Sequence, residues 1–242
     1  MCGGSALKVP LVRNCLVPLI SACAFAGDTD PASTRARMVA EIEARGVSDP
    51  SVLAALRKVP REEFVAPSLR SLAYTDRPLP IGEGQTISQP YIVALMSELA
   101  GLRPRARVLE VGTGSGYQAA VLAEMGCEVY SIEIVESLAR SAAERLRRLG
   151  YASVQVRAGD GYRGWPDRAP FAAILVTAAP EAIPPPLKEQ LAVGGRLVIP
   201  VGARFGQLLV VTRTASGFET REVAPVAFVP MTGEAQRAVE PR

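Results

Sequence analysis

The strongest constraint on the fold of this chain is a regular alternation of short apolar runs and amphipathic stretches between residues 107 and 212. Arg107 to Val111 reads as a strand that runs straight into Gly112-Thr113-Gly114-Ser115-Gly116, and Tyr117 to Met125 reads as the following helix. Glu128 to Ile132 reads as the next strand. Val135 to Leu149 is amphipathic, with Val135, Leu138, Ala142, Leu146 and Leu149 on one face. Further strands are expected at 154–156, 173–177, 196–201 and 208–212, and a last one at about 223–228. Strands separated by helices return as parallel neighbours. The pattern therefore predicts an α/β fold: a Rossmann-like, doubly wound, mostly parallel sheet of seven strands.

Upstream of this core the pattern is helical. Arg35 to Arg45 predicts a helix ending at Gly46, and Asp49-Pro50 supplies a cap and a first helical residue for a short helix to Lys58. Tyr74 to Gln85 carries Pro78, Pro80, Gly82 and Gly84 and is expected to be irregular. Ser88-Gln89-Pro90 then opens an apolar helix, Tyr91 to Ala100, closed by Gly101.

Composition closes several functional classes. The 242 residues contain no histidine, so no Ser–His–Asp or Cys–His arrangement and no His-ligated zinc site can be built. No metal site is expected. Three of the four cysteines (Cys2, Cys15, Cys23) precede the body, Cys127 stands alone in it, and no CxxC pair exists. A net charge of +3 is too small to argue for nucleic acid. Lys8 and Arg13 precede an apolar stretch, Leu16 to Ala26, in the manner of a secretory signal; Ile20-Ser21-Ala22-Cys23 is similar to a lipoprotein cleavage box. An extension translated from an upstream start, with Met38 or a nearby site as the true beginning, is the other reading.

The glycine loop sits where a strand ends and a helix begins, the position of the ligand crevice in such sheets. Its spacing is GxGxG, not the GxGxxG of dinucleotide sites or the GxxxxGK[ST] of a phosphate loop. Glu133 is expected at the end of the second strand, where an acid can bind ribose hydroxyls. Asp160 in Ala158-Gly-Asp-Gly161 is expected at the end of the third, where it can accept from an adenine amino group. Each could instead be a helix cap or a solvated charge. Together the three features resemble the class I S-adenosylmethionine methyltransferases, whose first motif is an acid followed by GxGxG.

Tyr74-Thr-Asp-Arg-Pro-Leu-Pro-Ile-Gly82 and Gly84-Gln-Thr-Ile-Ser-Gln-Pro-Tyr91 narrow the resemblance to the protein-L-isoaspartate O-methyltransferases. The likeness runs from about Met38 to Gly233 and includes Val59-Pro-Arg-Glu-Glu-Phe-Val65, Gly164-Trp-Pro166, Val176-Thr-Ala-Ala179 and Val198-Ile-Pro-Val-Gly202. By that resemblance Ser88 is the active-site serine. Gln85, Thr86, Ile87 and Ser88 lie against S-adenosylmethionine, together with Glu110, Gly112, Gly114, Gly116, Glu133, Asp160, Gly161 and, from the C-terminal segment, Thr232. Residues 34–242 then form one methyltransferase domain, with 34–101 a helical substrate region, 102–242 the cofactor core and 1–33 an extension outside the usual family pattern. The expected partners are isoaspartyl proteins and peptides, with no nucleic acid; a monomer is the default. Because S-adenosylmethionine is made in the cytosol, a cytoplasmic enzyme is expected in spite of the signal-like start.

Two local features cut against a simple transfer of roles. The family commonly has Phe-Asp-Ala-Ile where this chain reads Phe171-Ala172-Ala173-Ile174, so any role of that Asp is missing. Ser88, two residues before a helix-opening Pro, also stands where a capping serine would. The basic residues Arg140, Arg145, Arg147 and Arg148 suggest RNA at first sight. Glu136/Arg140 and Glu144/Arg148 at (i, i+4) spacing read instead as a solvated helix face. A methyltransferase acting on RNA or a small molecule, and an inactive cofactor-binding relative, remain the competing readings.

Overall fold

The computed structural model describes residues 30–202 and 205–237, together with Met1. The signal-like segment with Cys2, Cys15 and Cys23 lies outside the described residues. Two helices, α1 (Pro31–Ala44) and α2 (Pro50–Lys58), open the body, each capped by the aspartate before its first proline, Asp30 and Asp49. A hairpin follows, β1 (Leu79–Gly82) and β2 (Gln85–Ile87), and then α3 (Pro90–Ala100), ended by Gly101 in the left-handed conformation. The core runs β3 (Arg107–Val111), α4 (Tyr117–Glu124), β4 (Glu128–Glu133), α5 (Glu136–Arg148), β5 (Gln155–Ala158), β6 (Phe171–Val176) and α6 (Pro185–Glu189). It closes with β7 (Leu191–Val201), β8 (Gly206–Arg213), β9 (Phe218–Val226) and the short α7 (Glu234–Arg237).

The seven strands lie in the order β5-β4-β3-β6-β7-β8-β9. The first five are parallel, β8 pairs antiparallel with β7 and β9 antiparallel with β8, the mostly parallel sheet that the strand–helix alternation predicts. Alternate residues face opposite sides, as strand geometry requires. Val108, Val129, Ala173, Leu175 and Val198 join a core with α1 to α4 and Leu146 of α5; Leu109, Tyr130, Ile132, Ile174 and Ile199 join a second with Leu187 of α6 and Ala235 of α7. Both faces are thus covered, which leaves the carboxyl edge of the parallel strands as the place for a crevice.

Three expectations need correction. The stretch read as irregular holds the β1–β2 hairpin, pairing Leu79 with Ile87 and Pro80 with Thr86. Pro80 is tolerated because β1 and β2 form a sheet of two strands among the described residues, and Glu83 and Gly84 both take positive φ (53° and 68°), the conformation of a two-residue hairpin turn. Helix α3 is not capped by Ser88. Its N-cap is Gln89, without a side-chain bond, and Asp76 Oδ1 accepts from the Tyr91 N–H at 2.9 Å. With Pro90 lacking a donor, Tyr91 carries the first N–H in need of an acceptor, and a carboxylate from a remote loop reaches it. Finally, Arg140 does pair with Glu136 at 2.8 Å, but Arg148 reaches across to Glu63 at 3.0 Å rather than to Glu144. That long-range pair docks α5 onto the segment after α2.

Candidate active site

A crevice open to solvent lies at the carboxyl ends of β3, β4 and β6. Its floor is the glycine loop. Gly112 N–H donates to the Ile132 carbonyl at 2.8 Å, and the Thr177 hydroxyl donates to the Gly112 carbonyl at 2.6 Å. Gly112 has φ +99°, and a Cβ there would lie 2.3 Å from Thr177 Oγ1, so both backbone conformation and space demand glycine. Gly116, at φ +88°, caps α4 and packs on Leu146; it does not line the crevice.

Two carboxylates define one side. Glu133 ends β4, is 5% exposed, and accepts from the Gly114 N–H at 2.8 Å and the Val135 N–H at 3.0 Å. Glu110 is fully buried one residue before the end of β3. Its Oε2 accepts from the Ser131 hydroxyl, which also meets Thr113 Oγ1 at 2.5 Å, while its Oε1 has no partner among the described residues. Burial pushes the Glu110 carboxyl up to about 8; the Ser131 hydroxyl opposes this and Glu133 adds to it.

The opposite side is built from outside the core. Gln85, Thr86, Ile87 and Ser88 line it, with Ile81 packed toward Gly114 so that the hairpin rests on the glycine loop. The Glu83 carboxylate at the turn accepts from Ser137 of α5 at 2.9 Å. Ser88 is half-buried, and its hydroxyl has no hydrogen-bond partner among the described residues. Its carbonyl accepts from Arg61 Nη2 at 2.7 Å.

The C-terminal segment forms the third side. Ala179 N–H donates to the Val229 carbonyl and Met231 N–H to the Ala179 carbonyl, both at 2.8 Å, which brings Val229 to Thr232 to the rim. Asp160 fastens this strap: Oδ2 accepts from the Glu234 N–H at 2.7 Å and Oδ1 from the Tyr162 N–H at 2.9 Å. Asp160 itself is not part of the lining; Gly161 beside it is, packed against Val111.

Ten of the residues singled out in the sequence thus line one crevice: Gln85 to Ser88, Glu110, Gly112, Gly114, Glu133, Gly161 and Thr232. Tyr117, Gln118, Ile134 and Thr177 line it as well and escaped the sequence reading. Thr177 was legible in principle, since it follows the fourth parallel strand as Gly112 follows the first. Ala172, in the place of the family's Asp, lies at the opposite end of β6 from the crevice. Its loss leaves the site's lining untouched.

Strand order, glycine loop and the acid ending β4 define a class I methyltransferase. The family model for protein-L-isoaspartate(D-aspartate) O-methyltransferase matches residues 33–236. A protein-L-isoaspartate O-methyltransferase of Gloeobacter violaceus is 60% identical over 196 residues, 80% of this chain and 96% of its own. A solved protein-L-isoaspartate O-methyltransferase superposes with a TM-score of 0.76 at 31% identity, over 83% of this chain and 67% of that one. A Plasmodium falciparum chain described as such an enzyme, solved with S-adenosyl-L-homocysteine, has the same fold: TM-score 0.72, 24% identity, 82% and 98% coverage. The chain belongs to the protein-L-isoaspartate(D-aspartate) O-methyltransferase family.

Proposed function

We propose that this chain transfers a methyl group from S-adenosylmethionine to the free α-carboxylate of isoaspartyl residues in damaged proteins and peptides. The observation that carries the reading is the meeting, in one crevice, of a glycine-loop nucleoside site with an uncommitted serine hydroxyl on an independent arm. The residues present fit the cofactor. A buried carboxylate oxygen, Glu110 Oε1, has no hydrogen-bond partner among the described residues, and Gly112 and Gly114, both at positive φ, present bare backbone to the crevice. In this reading Gly112, Gly114, Glu110, Glu133, Gly161 and Thr232 hold the cofactor with Gln85 to Ile87. Gly116 and Asp160 act from behind, one setting the helix and the other the strap.

When bound, S-adenosylmethionine supplies a sulfonium methyl, an electrophile that asks for no acid or base. The substrate carboxylate has a reference pKa of roughly 3.5 and is ionised near pH 7. Cation and anion combine into neutral products, so the protein's work is alignment and exclusion of water. The Ser88 hydroxyl suits that task. A neutral donor orients the carboxylate without drawing off the charge it needs to attack, as a directly clamped arginine would. The chain contains no histidine, so the pH profile of transfer carries no enzyme imidazole. The resulting methyl ester cyclises by itself to a succinimide with loss of methanol, and the succinimide hydrolyses in part to normal aspartate, which is repair.

Isoaspartyl chains are the proposed partners, the enzyme acts as a monomer in the cytoplasm, and nucleic acid is not a substrate. The arginines of α5 support the last point, since Arg140, Arg145 and Arg148 are engaged by Glu136, the Ser115 carbonyl and Glu63. No helix among the described residues is long and apolar enough to cross a membrane. The test is label transfer from S-adenosylmethionine to an isoaspartyl peptide, with the normal aspartyl peptide as control. Base-labile methyl ester on the isoaspartyl form alone is expected; transfer to both, or to neither, overturns the reading.

A further inference from the structure

Arg61, in the Val59-Pro-Arg-Glu-Glu-Phe-Val65 run, is the largest fully buried side chain among the described residues. It opens a short 3-10 turn, Arg61–Phe64, and its guanidinium lies 4.7 Å over the Tyr117 ring, which packs edge-on against Phe64. Among the described residues it has no carboxylate within hydrogen-bond distance. Glu62 is taken by the Tyr74 hydroxyl, and Asp76 by Arg45, Gln89 and the Tyr91 N–H. Burial draws the guanidinium down to about 10, with Tyr117, Asp76 and Tyr74 opposing, so it stays charged near neutrality. An unpaired buried cation is costly, and an apolar residue of similar volume would fill the space more cheaply. Its retention points to work done by the fork.

The fork spans one particular stretch of chain. Nε donates to the Ala73 carbonyl at 2.7 Å and Nη2 to the Ser88 carbonyl at 2.7 Å. These two carbonyls bracket the excursion that contains the β1–β2 hairpin and ends at Ser88. Among the described residues the hairpin pairs with no other strand, and its own ladder is a few residues long. One guanidinium therefore closes the base of the arm that carries the serine. It also sets a positive charge one carbonyl behind Ser88, near the crevice yet not lining it, so it never bonds the attacking carboxylate.

We propose that Arg61 is the positioning residue of the active site: by holding the Ala73 and Ser88 carbonyls in one planar fork, it fixes the Ser88 hydroxyl against the bound carboxylate. The inference rests on the methyl-transfer reading above. Lysine keeps the charge but is a point donor on a flexible stem and cannot reproduce the two-carbonyl geometry. Methionine removes the charge as well.

The test compares wild type, Arg61→Lys and Arg61→Met in steady-state methylation of an isoaspartyl peptide. S-adenosylhomocysteine affinity and amide hydrogen exchange are measured in parallel. For Arg61→Lys, kcat is expected to fall by about tenfold or more, since small misplacements of a reacting group are that costly. KM should change little and S-adenosylhomocysteine affinity by less than about threefold. Exchange should quicken over residues 79–88 and stay as in wild type over 107–116. For Arg61→Met, both kcat and KM worsen, because attraction is lost along with position. If Arg61→Lys turns over like wild type, or if kcat and S-adenosylhomocysteine affinity fall in step in both variants, the proposal fails and Arg61 serves the fold alone. Should Arg61→Met not fold, the lysine variant decides. A wild-type enzyme inactive on the peptide would instead sink the functional reading, a distinguishable result.

Discussion

The two long walls of the crevice are made in different ways. The floor and the Glu133 side come from consecutive strand–loop–helix units, and the ends of neighbouring strands bond each other there: Gly112 N–H to the Ile132 carbonyl, Gly114 N–H to the Glu133 carboxylate, the Thr177 hydroxyl to the Gly112 carbonyl. The Ser88 side comes from a hairpin that belongs to no large sheet. It is fixed at its base by Arg61, at its tip by Glu83 with Ser137, and past Ser88 by Asp76, which caps α3. The first wall rests on the register of adjoining parallel strands and on bonds between their ends. The second rests on a few side chains from distant elements, each a single point of failure. Cofactor binding and substrate alignment should therefore separate under mutation, and the largest expected effect tests this most directly.

Ser88→Ala should lower methylation of an isoaspartyl peptide by about 10²-fold, a cost in line with a misplaced reacting group. S-adenosylhomocysteine affinity, read by calorimetry, should stay within about threefold; parallel losses would merge the two walls into one. Gly112→Ala attacks the other wall. With φ at +99° and Thr177 Oγ1 in the way, it should weaken S-adenosylhomocysteine by about tenfold or more and destabilise the protein by about 1–3 kcal/mol. A variant that binds normally would mean the loop yields as the hairpin does. Asp76→Ala removes the acceptor for the Tyr91 N–H. A lost cap costs about 1 kcal/mol, or about 2–4 °C of Tm in a chain of this size. Activity should drop along with it, because α3 starts two residues after Ser88.

A further effect is a pH dependence on the cofactor side. In the fold, burial raises the Glu110 carboxyl to about 8, above its value in the unfolded chain. Between the ordinary carboxylate range and about 8 the folded state keeps a proton that the unfolded state has lost. The contribution is present below that range and is lost as pH rises through it. Cofactor-free wild type should therefore lose Tm on going from about pH 5 to about pH 8, and Glu110→Gln should lose less. Equal slopes would mean that Glu110 is ionised throughout.

The frame of the first wall was legible in the sequence, because each part is set within a few residues: a β run, glycines that permit positive φ, an acid at the strand end; Tyr117, Gln118, Ile134 and Thr177, which also line it, escaped that reading. Asp160 shows the limit of that reading. Its position at the end of β5 follows from the pattern, but its two oxygens are spent on the Tyr162 and Glu234 N–H groups, and Glu234 is far away in sequence. The second wall was misread locally. Pro80 and Gly82 looked like breakers and are edge and turn of a hairpin; Ser88 looked like a cap and leaves that task to Asp76.

The sequence by itself determined the class of sheet, the glycine cradle and the family, since strand–helix alternation and glycine spacing are short-range properties. Only the tertiary structure decided what holds Ser88 in place. Arg61 and Asp76 act there through carbonyls and N–H groups that every residue possesses, and a bond to the main chain leaves no mark on the identity of the residue that receives it.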